Sequence, residues 1–316
     1  MSRVKCISHS QDIDGLVCAA LLKMSRGADC VLVDYVNLPD EVMKIKGEVG
    51  EVYICDLGIS ESLIEDLKNV ARTAKVVYID HHPLKSEILG SLREMGVEVV
   101  HSTAKCAGML TYQYLQKELP EEASFLAAYA TLSDYPSSAE DVALFLERFD
   151  PQLLAFETSL LYYAVARAEE DEQFKHRIVD GLSRLKQPHE IHDVMRYAIE
   201  HVDYILGITR NVDDRLVYCK NLAYIEVLGN ISVIANTLVR VSKKPTVICY
   251  SRYWNGEKYN LSIRSRDKRY NLGAIAAKIA KELGGSGGGH PLAAGAQLSI
   301  DCLNRFITEL DEALNI

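Results

Sequence analysis

Short apolar runs alternate with longer amphipathic segments through the first 110 residues, and this alternation constrains the fold more than any other feature of the chain. The short runs have the length and β-branched content of strands, and the segments between them have helical spacing. Strands separated by helix-length segments predict right-handed βαβ units, and therefore an α/β fold with a mainly parallel sheet flanked by helices. The predicted strands are residues 4–8, 30–35, 51–55, 75–79 and 97–100, and the predicted helices include 16–25 and 61–73.

The rest of the chain divides into a helical stretch and a second α/β unit. Residues 104–206 have almost wholly helical spacing, and a chain of 316 residues is long enough for two domains. We therefore predict a first domain over 1–190 that includes the helical segment, a linker over 191–212, and a smaller C-terminal α/β domain over 213–316. The predicted elements of that second domain are strands at 216–220, 222–227, 246–251 and 259–264 and helices at 231–241 and 272–283.

Composition limits the partners of the protein. Hydrophobic residues make up 48% of the chain and charged residues 25%, as in ordinary globular domains, and the net charge is −9. An acidic chain is poorly suited to long duplex nucleic acid, which needs many basic contacts to phosphates, although one locally positive pocket could hold a short anion. The eight cysteines form no C-x-x-C pair, and no apolar run suits a signal peptide or a membrane span. We therefore expect a cytoplasmic protein with reduced thiols and no membrane partner.

Metal-type side chains follow three of the predicted strands, at the edge where ligands bind in open α/β sheets. Any one of them could be a turn or cap residue, because Asp favours such positions. Together they gather carboxylates that would repel one another unless cations were present. Carboxylate oxygens with imidazole suit Mn²⁺, and Mg²⁺ is the near alternative, so we expect two divalent ions. The residues are His9, Asp12 and Asp14 after the first strand, Asp56 after the third, and Asp80, His81 and His82 after the fourth.

These motifs resemble those of the DHH phosphoesterase superfamily. The shared features are H-x-x-D-x-D-G at 9–15, the aspartate after the third strand, the D-H-H triplet at 80–82, and a later aspartate, Asp134. The superfamily includes RecJ exonucleases, NrnA-type nanoRNases, cyclic-di-AMP phosphodiesterases, family II pyrophosphatases and exopolyphosphatases. One feature departs from the family pattern: the first aspartate lies three residues after the histidine, where many relatives have four or two, and this makes His9 the least secure ligand.

The resemblance divides these residues between two metal ions and the substrate phosphate. Two such ions would share and activate a water molecule for attack on phosphorus. The implied assignments are His9 and Asp12 to one ion, Asp14, His81 and Asp134 to the other, Asp56 as the bridge, His82 to the phosphate, and Asp80 as the group that orients the ligand histidine.

A glycine run at 284–289, followed by His290, is the second constellation. By itself the run is weak evidence, because it could equally be a flexible loop, and it fits neither a Walker nor a dinucleotide fingerprint. Gly-Gly-Gly-His resembles the signature of the DHH-associated C-terminal domain, in which glycines let backbone N–H groups approach an anion. An upstream Ser-x-Arg-Ser segment is similar to that of relatives, although its arginine could instead be solvated. The implied substrate-binding residues are Arg264, Ser265, Gly287, Gly288, Gly289 and His290.

Three functions remain open at this point. The leading hypothesis is hydrolysis of short oligonucleotides or linear dinucleotides to mononucleotides, because the arrangement resembles the NrnA type, whose cleft between domains closes over the substrate. The alternative is a phosphatase acting on 3′-phosphoadenosine 5′-phosphate, a cyclic dinucleotide, or pyrophosphate and polyphosphate. The third is a non-catalytic replication scaffold, in which metal ligands are usually lost. A homodimer is left open.

Two smaller features lie in the helical stretch. His189 and His192 with Asp193 have the spacing of a metal site but lack an obvious third ligand. The pair Tyr162 and Tyr163 fits core packing better than a stacking platform.

Overall fold

The computed structural model describes residues 3–134, 140–168, 170–252 and 256–314. Its contacts divide the chain into two compact units, Met1–Ile199 and Glu200–Ile316. Helix Val194–Thr209 runs through the boundary, so the stretch that we interpreted as a linker is largely helical. Among the described helices, none is both long enough and apolar enough to cross a membrane.

The first unit is built on a five-stranded parallel sheet, as predicted. Its strands are β1 Arg3–His9, β2 Asp29–Val33, β3 Val49–Cys55, β4 Lys75–Asp80 and β5 Glu98–His101. The strand order is β2-β1-β3-β4-β5, with every pair parallel. The chain therefore reverses its winding direction between β1 and β3, which is the position where doubly wound folds open a ligand crevice.

Helices cover both faces of this sheet, which explains why its strands are almost uniformly apolar. Alternate residues of β3 point to opposite cores: Tyr53 and Cys55 join one, Val52 and Ile54 the other. The described helices of this unit are α1 Ile13–Arg26, α2 Leu38–Met43, α3 Ile64–Ala71, α4 Ser86–Glu94, α5 Ala107–Leu115, α6 Ser124–Ser133, α7 Glu140–Leu146, α8 Pro151–Arg167 and α9 Glu172–Leu182. Helix α10, Val194–Thr209, begins in this unit and continues into the second. Helices α2, α3 and α4 pack on one face and α1, α5, α6, α8 and α9 on the other.

The second unit contains a six-stranded mixed sheet. Its strands are β6 Val217–Tyr218, β7 Leu222–Glu226, β8 Thr246–Arg252, β9 Lys258–Ser265, β10 Ser286–His290 and β11 Ala293–Ser299, in the order β10-β11-β9-β8-β7-β6. Strands β7 and β8 pair in parallel, and the other described pairs are antiparallel. The helices that accompany the sheet are α11 Val212–Arg215, α12 Ile231–Val241, α13 Leu272–Glu282 and α14 Leu303–Ala313.

The glycine run is a strand from Ser286 onward, and not the flexible loop that such a run could equally form. Glycine has a low strand propensity and no side chain, so the run carries no alternating pattern that could reveal a strand. Pairing with β11, which was also not predicted, supplies the hydrogen bonds that hold β10 in an extended conformation.

Candidate metal centre

The carboxyl ends of the parallel strands bring the predicted metal ligands of the first unit together. Asp12 and Asp14 follow β1, Asp56 follows β3, and His81 and His82 follow β4. Strands β1 and β3 are neighbours that flank the reversal of winding, and β4 is the next strand along. The three motifs therefore meet at one edge because the sheet is parallel.

His81 lies at the centre of this cluster. Its Nε2 is 3.3 Å from Asp56 Oδ1 and 3.8 Å from Asp14 Oδ2, and its Nδ1 is 3.4 Å from Asp134 Oδ2. Two overlapping groups of three result, Asp56–His81–His82 and Asp14–His81–Asp134, each with its ligand atoms within 4.8 Å of one another. Neighbouring ligands of an octahedral Mg²⁺ ion lie roughly 3 Å apart, since the metal–oxygen bonds are about 2.0–2.1 Å. Each group therefore has a spacing somewhat wider than that of bound ligands, and each could hold a metal ion.

Asp14 is fully buried and is held by the start of helix α5. Its Oδ2 accepts a 2.8 Å hydrogen bond from the backbone N–H of Ala107, and its Oδ1 accepts one of 2.6 Å from Gly108. A helix N-terminus presents free N–H groups and a partial positive charge, so these two bonds oppose the effect of burial on the carboxylate and fix its orientation. A Cβ atom at Gly108 would lie 2.9 Å from Asp14 Oδ1 and 2.6 Å from the Cβ of Ala130. Sequence reasoning missed Gly108.

His9 and Asp12 lie at the margin of the cluster. His9 Nε2 is 3.7 Å from Asp12 Oδ2, while Asp12 Oδ1 accepts the N–H of Gly15 and so caps helix α1. Neither residue belongs to the two groups of three. The capping bond leaves the other carboxylate oxygen of Asp12 for a further partner.

Two buried polar atoms of the cluster have no hydrogen-bond partner within the described part of the chain: Nδ1 of His9 and Oδ2 of Asp56. Burying an unpaired polar atom is costly, and such atoms commonly mark a partner that is not protein. Asp56 also has a positive φ, 57°, a strained conformation that directs its side chain after β3. These residues fit a divalent cation.

The carboxylates carry the electrostatic signature of an uncompensated cluster. Burial, helped by the charge of Asp12, raises the pKa of Asp14 from 3.8 to about 7. Burial and the charge of Asp14 likewise raise the pKa of Asp134 to about 8, and burial raises the pKa of Asp56 well above its usual range. Burial also lowers the pKa of His81 and so favours the neutral imidazole, the form that binds metals. A divalent cation would relieve the repulsion between the carboxylates.

Asp80 contacts His82 and not His81, which corrects the expectation that it orients the ligand histidine. His82 Nδ1 lies 2.8 Å from Asp80 Oδ1, and the hydroxyl of Tyr78 donates a 2.6 Å hydrogen bond to Asp80 Oδ2. Burial alone would raise the pKa of Asp80, but the hydrogen bond and charge of His82, together with the hydrogen bond of Tyr78, outweigh it and lower that pKa. Burial alone would lower the pKa of His82, but Asp80 outweighs it and raises that pKa. His82 is thereby the histidine of the pair that is favoured in its protonated form.

The two outer strands also contribute to the site, which sequence reasoning missed. Tyr35, just beyond β2, places its hydroxyl 3.1 Å from Nε2 of His82. His101, the last residue of β5, places its Nε2 2.7 Å from the backbone carbonyl of His82. The position of both residues at strand ends was a usable signal, because every strand of a parallel sheet ends at the same edge.

In the second unit, Arg264 and His290 lie on one face of the sheet. Both are register partners of Ala293, one on β9 and the other on β10. Directly opposed residues of antiparallel strands share a face, and two strand spacings separate the backbones of these two by roughly 9–10 Å. Arg264 Nε donates to Asn236 Oδ1 of α12 at 2.7 Å. The sheet therefore places Arg264 and His290 two strands apart on the same face, with the small residue Ala293 between them.

Ser265 and the three glycines differ in whether they leave a polar group or open space available to a ligand. The hydroxyl of Ser265 lies 2.9 Å from that of Thr246 and accepts the N–H of Asp267, so it is committed to local structure. At Gly287 and Gly289 an added Cβ would crowd α13 or β11, whereas at Gly288 it would meet nothing within 4 Å. Gly288 is therefore the glycine with open space beside it.

Among the described residues, His189 and His192 belong to no group that could hold a metal ion. His189 Nδ1 lies 2.5 Å from Oε1 of the buried Glu157, and the side chain of His192 is 84% exposed. Asp193 Oδ1 accepts a hydrogen bond from Arg196. These contacts give His189 a structural partner, which agrees with the absence of a third ligand in the sequence.

The fold and this cluster define a class: a doubly wound α/β unit with carboxylates and imidazoles at its winding reversal, followed by a mixed α/β unit. Residues 222–315 match the family described as the DHHA1 domain. This match agrees with the resemblance of the Gly-Gly-Gly-His motif to the DHH-associated C-terminal domain.

Solved structures share this fold over nearly the whole chain. The DHH domain of PF0399, described as a member of the s1p family of ribosomal proteins, is similar over 99% of this chain and 87% of that one, with 16% identity and a TM-score of 0.74. RecJ from Thermus thermophilus, in complex with Mn²⁺, is similar over 99% and 52%, with 17% identity and a TM-score of 0.67. PggH from Vibrio cholerae, a pGpG-specific phosphodiesterase, is similar over 99% of each chain, with 18% identity and a TM-score of 0.60.

A curated relative shows closer identity over a shorter stretch. The uncharacterised protein MJ0831 of Methanocaldococcus jannaschii is 36% identical over 104 residues, which is 32% of this chain and 23% of that protein. The match thus takes in under a quarter of the relative's length and says nothing about activity.

Proposed function

We propose that this chain is a metal-dependent phosphodiesterase that hydrolyses short oligonucleotides or linear dinucleotides to mononucleotides. The observation that carries the proposal is that Asp14, Asp56, His81 and Asp134 lie in two overlapping groups that share His81, each with its ligand atoms within 4.8 Å of one another. The structural neighbours PggH and RecJ, a phosphodiesterase and an exonuclease by name, support hydrolysis of a phosphoester bond. Mn²⁺ is the expected ion and Mg²⁺ the alternative, and RecJ structures hold one or the other.

The proposed division of metal-binding roles follows the motif resemblance, and the grouping of Asp14, His81 and Asp134 supports part of it. Asp14, His81 and Asp134 would hold one ion, and Asp56 with its unpaired oxygen would bridge to a second, which His9 and Asp12 complete. When bound, two such ions supply an activated water for in-line attack and neutralise charge on the phosphate. The chain's contribution is to fix these side chains before substrate arrives: α5 holds Asp14 and the cap of α1 holds Asp12.

His82 is proposed to contact a non-bridging phosphate oxygen. Asp80 fixes its Nδ1 and favours its protonated form, which leaves Nε2 directed towards Tyr35 at the open side of the cluster. A charged donor at this position would stabilise negative charge that develops on the phosphate. Tyr35 would hold His82 until substrate replaces it.

The substrate is proposed to be short. The net charge of −9 disfavours long nucleic acid, and the pair Arg264 and His290 with Gly288 offers one localised anion-binding face in the second unit. PggH, which this chain resembles over its full length, is named for a dinucleotide substrate.

An activity panel with Mn²⁺ tests the proposal. The purified protein should hydrolyse dinucleotides and a 5-mer faster than a 24-mer, and Asp56→Asn should lower kcat by more than about 100-fold because it removes the charge of the bridging ligand. Asp29→Asn is the matched control, since Asp29 is an exposed carboxylate at the opposite, amino end of β2.

The same panel separates the alternatives. Higher kcat/KM for 3′-phosphoadenosine 5′-phosphate, a cyclic dinucleotide or pyrophosphate would replace the oligonucleotide assignment. Near-normal turnover of Asp56→Asn, or no binding of Mn²⁺ by calorimetry, would refute the metal centre itself.

A further inference from the structure

A cavity of about 230 Å³ lies between helices α6 and α8 of the first unit. It begins at the last residue of α6, Ser133, which directly precedes the candidate ligand Asp134. Its described lining is Leu132, Ser133, Ala155, Thr158, Ser159, Tyr162 and Tyr163. The cavity is therefore adjacent to the metal centre without being part of it.

The lining combines aromatic faces with hydroxyl groups. The rings of Tyr162 and Tyr163 are half-buried, with centroids 5.6 Å apart and planes at 69°. Both pack against the core on one side, as the sequence suggested, and border the cavity on another. Ser159 is exposed beside them. Such a surface suits a ligand with flat apolar faces and polar edges.

The buried hydroxyl of Thr158 is a second, independent indication that the cavity holds a ligand. Its side chain is only 5% exposed, and Oγ1 has no hydrogen-bond partner within the residues that the structure describes. A threonine in a helix can satisfy its hydroxyl on the preceding turn, so a buried and unpaired hydroxyl beside a cavity needs another partner. A ligand edge in the cavity would supply it.

The volume of the cavity limits the size of the ligand that it can hold. Pockets for drug-sized molecules run from about 300 to 1,000 Å³, so this cavity suits a single planar ring system and not a whole dinucleotide. Aromatic side chains that stack on bases are the recurring device for binding single-stranded nucleic acid without reading a long sequence.

We propose that this cavity binds the nucleobase next to the scissile phosphate, with Tyr162 or Tyr163 stacking on the base and Thr158 bonding its edge. The proposal rests on the proposed function, because it assigns the substrate of that same centre. Stacking on one aromatic ring changes affinity by roughly 5- to 140-fold, so the effect should be measurable in KM.

The experiment compares an intact dinucleotide with two analogues in which one base or the other is replaced by an abasic sugar. The wild-type protein with Mn²⁺ should show a KM about 5- to 140-fold higher for one of the two analogues, with similar kcat. In Tyr162→Ala or Tyr163→Ala the intact substrate should bind as weakly as that analogue. The corresponding Tyr→Phe variant keeps the ring and should retain the preference.

Thr158→Val tests the hydroxyl at nearly constant shape, and it serves if a tyrosine variant does not fold. It should raise KM for the intact dinucleotide and leave the abasic analogue unchanged. Gln152→Ala, at an exposed position near the start of α8 and outside the cavity, is the control and should match the wild type.

Retention of the wild-type preference for the intact substrate in both Tyr→Ala variants and Thr158→Val would overturn the proposal. If the wild-type protein hydrolyses no phosphodiester, the proposed function fails. Calorimetric binding of the same three compounds then tests separately whether the cavity binds a nucleobase. Base-dependent binding that is lost in Tyr162→Ala or Tyr163→Ala would then support the nucleobase site, and equal binding of all three would refute it.

Discussion

At the scale of single residues, the carboxylates in and beside the candidate metal centre are held by hydrogen bonds of the protein itself. Asp14 accepts two backbone N–H groups, Asp12 caps a helix, and Asp80 is fixed between Tyr78 and His82. Each carboxylate oxygen can accept more than one bond, so these contacts orient the ligands without using up their capacity for a cation. A site that is fixed before its ion arrives loses little entropy on binding.

Gly108→Ala tests this orientation. The new methyl group would press on Asp14 and Ala130, so we expect a loss of about 1–3 kcal/mol in stability and a weaker affinity for Mn²⁺. Gly90→Ala is the control, because Gly90 lies in helix α4 with open space around it and should gain about 0.4–1 kcal/mol. Thermal unfolding and Mn²⁺ titration measure the two effects. Unchanged Mn²⁺ affinity in Gly108→Ala would show that α5 does not position Asp14 for the metal.

At the scale of elements, the ends of helices and strands position the metal-centre side chains of the first unit, and a helix side chain holds a turn of the second. Helices α1 and α5 begin at the metal-centre edge, where their N-terminal partial charge offsets that of the aspartates. In the second unit, Asp311 of α14 accepts backbone N–H groups from Lys220, Asn221 and Leu222, and so ties that helix to the turn between β6 and β7.

Asp311→Ala should therefore destabilise the second unit. Three N–H groups would lose a charged acceptor, and we expect a cost of about 1–3 kcal/mol in the free energy of unfolding, measured with urea. Glu312→Ala, at the neighbouring exposed position, should stay within about 0.5 kcal/mol of the wild type. Equal effects of the two substitutions would mean that the turn is held by other contacts.

At the scale of the whole molecule, the buried carboxylates link stability to pH and to metal. The pKa of Asp14 rises from 3.8 to about 7 and that of Asp134 to about 8 in the folded state. Between pH 4 and 8 the folded protein without metal therefore holds protons that the unfolded chain has released. Its stability is greatest below that range and falls as pH rises through it.

Divalent metal should reverse this trend. Mn²⁺ competes with protons for the same carboxylates, so saturating Mn²⁺ should raise Tm more at pH 8 than at pH 5.5. Differential scanning fluorimetry with and without chelator measures the shift. In Asp134→Asn the metal-free protein should depend less on pH, since one raised carboxylate is gone. A Tm shift independent of pH would argue that the ions do not bind these groups.

Local pattern predicted much of this protein because strand and helix periodicity are short-range properties. The five strands of the first sheet, the position of α12 and the D-x-D-G and D-H-H motifs at strand ends were all readable from adjacent residues. The hairpin of β10 and β11 was not readable, because glycines carry no alternation and the hairpin depends on pairing with β9 and packing on α13.

The sequence by itself determined which residue types could bind metal and that they follow strands. Only the tertiary structure decided that Asp80 serves His82, that Tyr35 and His101 join from the outer strands, and that Gly108 holds Asp14 from 94 residues away. The physical reason is that a side chain's partner across a sheet edge is set by strand order and by the direction of each strand end. Neither quantity is encoded in neighbouring residues.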